Sequence, residues 1–192
     1  MTTSRPELVL IRHGETEWSA SRRHTGRTDI ELTDRGREQA QAIAAAVADI
    51  DFTTVLASPL RRAWDTAVLA GLTPTVDDGI VEWDYGDYEG ITTATVRETT
   101  PGWSVWTHPI TGGESVDDVG ARADAAIERY TEHGGTIGIV AHAHFLRILA
   151  ARWLGLDARE GRRFVLDTAT LSLLSWEREN RVVRRWNDPC GW

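Results

Sequence analysis

The sequence predicts the α/β class, as a three-layer α/β/α sandwich with a mostly parallel central sheet. Short apolar runs alternate with longer helical segments along the 192 residues, which is typical of parallel sheets covered by helices on both faces. Two of the apolar runs end directly before or beside a histidine, His13 and His142. The length suits one domain with a full core, so we expect a single domain over residues 1–192.

The first strand and the first long helix are separated by a polar segment. The strand is the short apolar run Leu8–Ile11, which suits burial on both faces. Residues 14–32 show no clear period and predict a loop, and a loop of this length in a compact domain is usually functional. The helix that follows begins after Thr33, a plausible N-cap, and runs through alanine-rich sequence to about Ala48.

A second strand and helix come next. The apolar run Thr54–Ala57 predicts a buried strand, and the helix Pro59–Ala70 follows it with proline in the permitted first turn. Gly71 stands just past the end of that helix, where glycine is favoured. Residues 73–76 predict a short third strand, and residues 79–91, dense in glycine, acids and aromatics, predict a loop.

The middle of the chain predicts two further helices. Residues 92–99 predict a short helix that ends before a Pro-Gly pair. Ser115 and Asp118 resemble a capping box, with aspartate in place of the usual glutamate. The helix that this box opens runs to about His133, where two glycines end it.

The last third of the chain predicts a strand, a helix and one or two final strands. Thr136–Ala141 is the clearest late strand, and His142 follows it directly. The helix Phe145–Leu154 comes next. Alternating apolar and polar residues around 170–176 and 181–186 predict the final strands.

The two histidines are expected to lie together. Both follow predicted parallel strands, and ligands of open α/β sheets bind just beyond the carboxyl ends of strands. Arg12 precedes His13, and Gly14 allows close approach of the backbone. We interpret His13 as an active-site residue and Arg12 as its anion-binding partner. The alternative is a structural histidine on a tight turn.

Composition limits the functional class. The formal net charge of −8 argues against non-specific nucleic-acid binding, which requires a basic face. No apolar run approaches the roughly 18 residues of a membrane span. Residues 1–7 lack the pattern of a signal peptide, so we expect a cytoplasmic location. Cys190 is the single cysteine, which excludes an internal disulfide.

An ordered set of short motifs runs from Leu8 to about Arg147. The motifs are Arg12-His13-Gly14-Glu15-Thr16, Thr25-Gly26, Ser58-Pro59-Leu60-Arg61-Arg62-Ala63, Glu82 ahead of Gly86, Gly113-Glu114-Ser115 and Val140-Ala141-His142. This set resembles the histidine phosphatase superfamily, which includes the cofactor-dependent phosphoglycerate mutases. The stretch from 82 to 86 looks like that of bacterial acid phosphatases in the same family. The resemblance implies a phosphoglycerate mutase-like fold.

The resemblance also implies a role for each motif position. His13 looks like the nucleophile that takes the phosphoryl group, and Arg12 and Arg62 look like the phosphate clamp. His142 looks like the second imidazole, and Glu82 looks like the general acid that protonates the leaving oxygen. Phosphoryl transfer depends on positioning and charge stabilisation, which these side chains can supply. The alternatives are a solvated loop acid for Glu82, a satisfied core histidine for His142 and a surface ion pair for Arg62.

Four further residues complete the phosphate site that the resemblance implies: Ser19, Thr25, Gly26 and Ala143. They would touch phosphate through hydroxyl or backbone N–H groups, and plain loop polarity is the alternative for Ser19 and Thr25. Ser19 stands where members usually have asparagine, which shortens or removes one contact. Ala143 stands where glycine usually follows the second histidine. Because arginines and a histidine can do the charge work, we expect no metal and no cofactor.

The hypothesis is a metal-independent phosphomonoesterase, similar to acid phosphatases, that hydrolyses small phosphate monoesters through a phosphohistidine. A cofactor-dependent phosphoglycerate mutase is the first alternative. The resembling mutases carry a lysine where this chain has Thr93, and neither arginine nor lysine stands between Thr99 and Ser115. A non-catalytic phospho-ligand-binding protein is the second alternative.

Aromatic residues are expected to shape the mouth of the site, which favours esters with apolar or ring-bearing groups. The candidates are Trp83, Tyr85, Tyr88, Trp103 and Trp106. Packing in the core is the alternative for the tryptophans. As partners we expect a small phosphorylated metabolite, no nucleic acid and no membrane. A homodimer is an assembly that the sequence leaves open.

Overall fold

Six strands form one central sheet in the computed structural model, which describes residues 5–190. They are β1 (Glu7–Arg12), β2 (Phe52–Ala57), β3 (Thr75–Val76), β4 (Thr136–Ala141), β5 (Leu171–Glu177) and β6 (Asn180–Asp188). Their spatial order is β3-β2-β4-β1-β5-β6. The first four in this order pair in parallel, and β5 and β6 add an antiparallel end. The predicted mostly parallel sheet is confirmed.

Helices cover both faces of the sheet. They are α1 (Glu17–Ala20), α2 (Asp34–Val47), α3 (Arg61–Leu69), α4 (Thr93–Thr99), α5 (Val116–His133) and α6 (Ala143–Trp153), with 3-10 turns at Asp78–Ile80, Gly86–Tyr88 and Ala158–Arg163. Along β1, Leu8 and Leu10 pack with residues of α5 and α6, whereas Val9 and Ile11 pack with residues of α2 and α3. The predicted α/β/α sandwich is confirmed. Within residues 5–190 no helix combines the length and apolar character needed to cross a bilayer.

Side-chain caps fix the starts of two helices as the sequence predicts. The Thr33 hydroxyl accepts the N–H of Gly36 at 3.0 Å, which caps α2. At α5, the Ser115 hydroxyl accepts the N–H of Asp118 at 3.2 Å, and the Asp118 carboxylate accepts the N–H of Ser115 at 2.9 Å. This reciprocal pair is a capping box in which aspartate replaces glutamate.

Several elements differ from their predicted bounds. Helix α3 begins at Arg61 with Leu60 as its N-cap, so the prediction that Pro59 stands in its first turn is wrong. The predicted loop over residues 14–32 contains the single turn of α1, which is too short to give a helical period in the sequence. Helix α6 begins at Ala143 and not at Phe145, because His142 with extended backbone takes the N-cap position. This earlier start places the first free amides of α6 directly beside the second histidine.

Strands β1 and β4 end level with each other, and this brings the two histidines together. Their parallel register pairs Arg12 with Ala141, so His13 and His142 leave the sheet at the same edge. The N–H of His13 donates to the carbonyl of Ala141 at 3.0 Å. The imidazole ring centroids lie 5.2 Å apart, which confirms the predicted proximity.

Candidate active site

The tautomer of His13 is set by its own loop. The ring Nδ1 lies 2.7 Å from the carbonyl oxygen of Gly14, so Nδ1 carries a proton and donates it there. The lone pair then belongs to Nε2. Burial, together with the positive charges of Arg62 and Arg12, lowers the pKa of the imidazole well below its usual value. His13 is therefore neutral at neutral pH and has a ring nitrogen available for bonding.

Gly14 holds this loop against the start of α2. A Cβ atom at Gly14 would lie 2.3 Å from the carbonyl oxygen of Gly36, and no side chain fits there. The N–H of Gly14 also donates to the Thr66 hydroxyl on α3 at 3.0 Å. These contacts fix the backbone that sets the orientation of the His13 ring.

His142 is buried and has both ring nitrogens engaged. The Nε–H of Arg62 donates to His142 Nδ1 at 3.2 Å, so the neutral ring carries its proton on Nε2. That Nε2–H donates to the Ser58 hydroxyl at 2.8 Å. Burial, Arg62 and His13 lower the pKa of His142 well below its usual value. The ring is therefore a neutral, oriented neighbour of His13.

Arg62 is buried and ties the segment after α1 to the second histidine. Its remaining hydrogen bonds go to the backbone carbonyls of Thr25, Gly26 and Thr28, at 2.8 to 3.2 Å. Gly26 is required at its position because a Cβ there would lie 2.4 Å from the backbone carbonyl oxygen of Trp83. Thr25 and Gly26 thus contribute carbonyl oxygens to the arginine.

Arg12 presents an unpaired donor at the end of β1. Its Nη1 donates to the carbonyl of Leu166 at 2.6 Å, which anchors the guanidinium. The buried Nε–H has no hydrogen-bond partner among the described residues. A buried donor without a partner is costly, and an anion beside His13 would satisfy it.

Glu82 lies on the first amides of α6. Its carboxylate accepts the N–H groups of Trp83, His144 and Phe145, at 2.9, 3.1 and 2.9 Å. Burial raises the pKa of the carboxyl group, and the three amide hydrogen bonds oppose that rise. The acid is therefore fixed in position and holds a proton to higher pH than an exposed glutamate.

A cavity of about 380 Å³ collects most of the predicted site residues. Arg12, His13, Ser19, Thr25, Glu82 and Ala143 line it. Arg62, His142 and Gly26 are outside the lining: Arg62 and His142 are fully buried and hydrogen-bonded to each other, and the Gly26 carbonyl accepts from Arg62. A larger cavity of about 620 Å³, beside β3, contains none of the predicted site residues.

Several lining residues were not predicted as site residues: Arg22, Arg23, His24, Thr93, His144, Arg147, Leu166 and Asp167. Arg22 and Arg23 lie in the predicted loop over residues 14–32. Because a loop of that length is usually functional, the sequence did carry a signal for these two residues. Arg147 lies within the first turns of α6, whose start at Ala143 the sequence did not show. Nothing in the sequence distinguishes Asp167 from other surface acids.

The prediction of an aromatic mouth is wrong for the tryptophans. Trp83, Trp103 and Trp106 are 0%, 1% and 8% exposed and belong to the core that packs against α5 and α6. The indole N–H of Trp83 donates to the Glu114 carbonyl at 2.8 Å, so the polar group of this ring has a hydrogen-bond partner within the core. Tyr85 lines the cavity, and its hydroxyl meets His144 Nδ1 at 2.5 Å. The mouth is therefore polar and cationic.

Comparison with known proteins identifies the family to which this chain belongs. Residues 8–189 match the model of the histidine phosphatase superfamily (branch 1). The chain is 46% identical over 175 residues to an acid phosphatase of Mycobacterium tuberculosis, with 88% of this chain and 86% of the relative covered. A solved structure of a Mycobacterium tuberculosis open reading frame superposes with a TM-score of 0.92 at 44% identity, covering 95% of this chain and 97% of that one.

A second solved structure extends the comparison. The mycobacterial glucosyl-3-phosphoglycerate phosphatase superposes with a TM-score of 0.86 at 30% identity, covering 96% of this chain and 100% of that one. The match of the family model spans nearly the whole chain and contains every residue of the site described above. The chain therefore belongs to the histidine phosphatase superfamily.

Proposed function

We propose that this histidine phosphatase is a metal-independent phosphomonoesterase that hydrolyses small phosphate monoesters through a phosphohistidine on His13. The observation that supports it most is one cavity lined by His13, the unpaired donor of Arg12 and the buried acid Glu82. These are a nucleophile, a cation and a proton donor. The acid phosphatase relative supports the same reaction class.

In the first half-reaction, His13 Nε2 attacks phosphorus. The N–P bond forms as the ester P–O bond breaks, and Glu82 gives its proton to the departing oxygen. The charge on the equatorial oxygens would be held directly by Arg12, and the buried Arg62, whose N–H groups go mostly to His142 and backbone carbonyls, would add its positive charge at longer range. Ser19, Thr25 and Ala143 line the same space and would add polar contacts.

In the second half-reaction, water attacks the phosphohistidine. The Glu82 carboxylate takes a proton from that water, the N–P bond breaks, and His13 returns to its neutral form with inorganic phosphate as the product. His142 would keep the His13 ring in place through its packing at 5.2 Å, while Arg62 and Ser58 fix its own tautomer. The two arginines would supply the charge stabilisation for which other phosphoryl-transfer enzymes use Mg²⁺.

The test is hydrolysis of p-nitrophenyl phosphate with and without EDTA. We expect equal rates in both conditions, and His13→Ala should abolish turnover. His108→Ala is a matched control because His108 does not line the cavity, and it should keep its activity. A covalent phosphoryl adduct on His13, seen by mass spectrometry after an alkaline quench, is the direct readout. Inhibition by EDTA, or turnover by the His13 variant, would contradict the proposal.

A phosphoglycerate mutase is the alternative enzyme, and the cavity permits a direct comparison. Thr93, which stands where the resembling mutases carry a lysine, lines the cavity and contacts His24 at 3.3 Å. A mutase must hold the phosphoacid through two transfers, and Thr93 offers no charge at the position where the resembling mutases have one. Coupled detection of 2-phosphoglycerate from 3-phosphoglycerate separates the two activities. Free phosphate as the product supports the phosphatase.

A further inference from the structure

The cavity holds more positive charge than one phosphate requires. Four of its lining residues are arginines: Arg12, Arg22, Arg23 and Arg147. The chain as a whole carries a net charge of −8, so this is a local reversal of sign. Two acids face the same space, but Glu82 is held by three amides and the Asp167 carboxylate accepts the side-chain amide of Asn187 at 2.8 Å.

These four arginines form no ion pair within residues 5–190. Most arginines elsewhere in the described chain do, as in Arg122 with Glu114 at 2.7 Å and Arg152 with Asp124 at 2.8 Å. In an acidic protein, guanidinium groups that lack carboxylate partners and converge on one cavity are suited to an anionic ligand. In the proposed reaction Arg12 binds the transferred phosphoryl group, so the other three are available for a different anionic group.

Arg147 is held ready on α6. Its Nε donates to the carbonyl of Gly161 at 3.1 Å, and Nη2 donates to the carbonyl of Arg162 at 3.3 Å. The guanidinium also lies over the ring of Trp106, 4.8 Å from its centroid. Neither N–H of Nη1 has a partner in the described chain. A fixed guanidinium with two open donors loses little entropy when it binds an anion.

Arg22 and Arg23 come from the segment after α1. Arg22 adopts a φ of 59°, a left-handed conformation that is uncommon for a residue with a side chain and that clusters at functional sites. The Arg23 backbone is fixed by its N–H bond to the Trp18 carbonyl at 2.8 Å and by a bridge to Thr92. Both side chains are exposed, and no hydrogen bond holds either of them within residues 5–190.

We propose that Arg22, Arg23 and Arg147 form a second anion subsite, so that the preferred substrates are small phosphate monoesters that carry a further anionic group. This inference rests on the proposed phosphatase reaction and specifies its substrate class. The volume of about 380 Å³ suits a small metabolite. The further group is a carboxylate or a second phosphate, since a guanidinium binds both bidentately.

The test uses matched pairs of substrates that differ in the second group. For a carboxylate, 3-phosphoglycerate is compared with glycerol 3-phosphate. For a second phosphate, fructose 1,6-bisphosphate is compared with fructose 1-phosphate. We expect kcat/KM to be roughly 10–100-fold higher for the more anionic member of at least one pair, as charge-assisted hydrogen bonds typically give. A ratio near one in both pairs would overturn the subsite.

Variants test whether the preference for the more anionic substrate depends on Arg22, Arg23 and Arg147. Arg147→Gln and the double variant Arg22→Gln with Arg23→Gln should each lower the preferred ratio at least several-fold. Arg152→Gln lies on the same helix as Arg147 but pairs with Asp124 outside the cavity, and it should leave the ratio unchanged. An unchanged ratio in both cavity variants, or an equal loss in the control, would contradict the assignment.

The two proposals can fail separately. Hydrolysis of p-nitrophenyl phosphate with ratios near one would leave the phosphatase standing and remove the subsite. If no ester is hydrolysed, the phosphatase proposal is wrong, and titration calorimetry of the His13→Ala variant with the same pairs decides the subsite. Tighter binding of the more anionic member would support it, and equal affinities would overturn it.

Discussion

At the residue scale, burial shifts the pKa values of His13 and Glu82 in opposite directions. Burial and two arginines lower the pKa of His13, whereas burial raises the pKa of Glu82. The imidazole therefore becomes neutral at a lower pH than an exposed histidine, and the acid keeps its proton to a higher pH than an exposed glutamate. In mildly acidic solution His13, the proposed nucleophile, is thus neutral, and Glu82, the proposed acid, is thus protonated.

The pH profile follows from these directions. We expect kcat/KM for p-nitrophenyl phosphate to be highest on the acidic side of neutrality and to fall as rising pH removes the Glu82 proton. Glu82→Gln should lower the rate by about 10²–10⁴-fold, as loss of a general acid does, and should remove the alkaline limb. An alkaline limb that is identical in the variant would show that another group controls it.

Residues differ in how far the sequence could predict them. The positions of His13, Arg12 and Glu82 followed from motifs, and the structure places all three in one cavity. The side chains of Arg22 and Arg147 could not be placed, because spacing along the chain does not show which way an isolated arginine points. The sequence left two places open for the tryptophans, since a large aromatic residue in an irregular segment suits a core and a mouth equally, and the structure places Trp83, Trp103 and Trp106 in the core.

At the scale of elements, the close approach of the loop after β1 to α2 fixes the orientation of His13, the proposed nucleophile. A methyl group on Gly14 would meet the carbonyl oxygen of Gly36 at 2.3 Å, and neither backbone can move freely. We expect Gly14→Ala to lower the free energy of unfolding by about 1–3 kcal/mol, as overpacking does, and to reduce activity with it. Urea denaturation and the p-nitrophenyl phosphate assay measure the two effects.

A matched glycine provides the control for this substitution. Gly102 has a φ of 79° and no atom within 4 Å of the place that a methyl group would take, so Gly102→Ala adds backbone strain without a clash. We expect a loss of about 1 kcal/mol and unchanged activity. Equal activity losses in both variants would show that the effect of Gly14→Ala does not act through the loop that carries His13.

The order and type of the helices and strands were predicted well, because the spacing of hydrophobic residues and the helix-capping residues indicate them directly. Thr33 and Ser115 cap the helices that the sequence assigned to them. The start of α6 was missed by two residues, because a histidine at an N-cap gives no signal of the kind that serine or aspartate gives. The single turn of α1 was missed because four residues carry no period.

At the scale of the whole molecule, four histidines with lowered pKa values make stability depend on pH. Burial is the largest cause that lowers the pKa values of His13, His142 and His144 well below 6.5, and it also lowers the pKa of His24. The unfolded chain therefore binds more protons than the folded chain below about pH 6.5. The stability that these groups contribute is present above that pH and is lost as the pH falls toward their folded values.

We therefore expect the melting temperature to fall as the pH drops below about 6.5. Each histidine contributes a slope of up to about 1.4 kcal/mol per pH unit in that window. The raised pKa of Glu82 acts oppositely, since its contribution is present at low pH and is lost as the pH rises. His144→Gln should make the acid slope shallower, whatever its effect on the absolute melting temperature. An unchanged slope would contradict the assignment.

Helix α6 carries three parts of the site on its first turns: the N-cap His142, the two amides that grip Glu82, and Arg147. Because a helix shifts as a rigid body, a substitution that moves one of these groups also moves the others. Arg22 and Arg23 touch the same cavity with exposed side chains that no hydrogen bond holds within residues 5–190, so this constraint does not apply to them. Laboratory evolution toward new esters should therefore succeed with libraries at Arg22 and Arg23, while substitutions that shift the start of α6, at residues 142–145, should yield inactive enzymes.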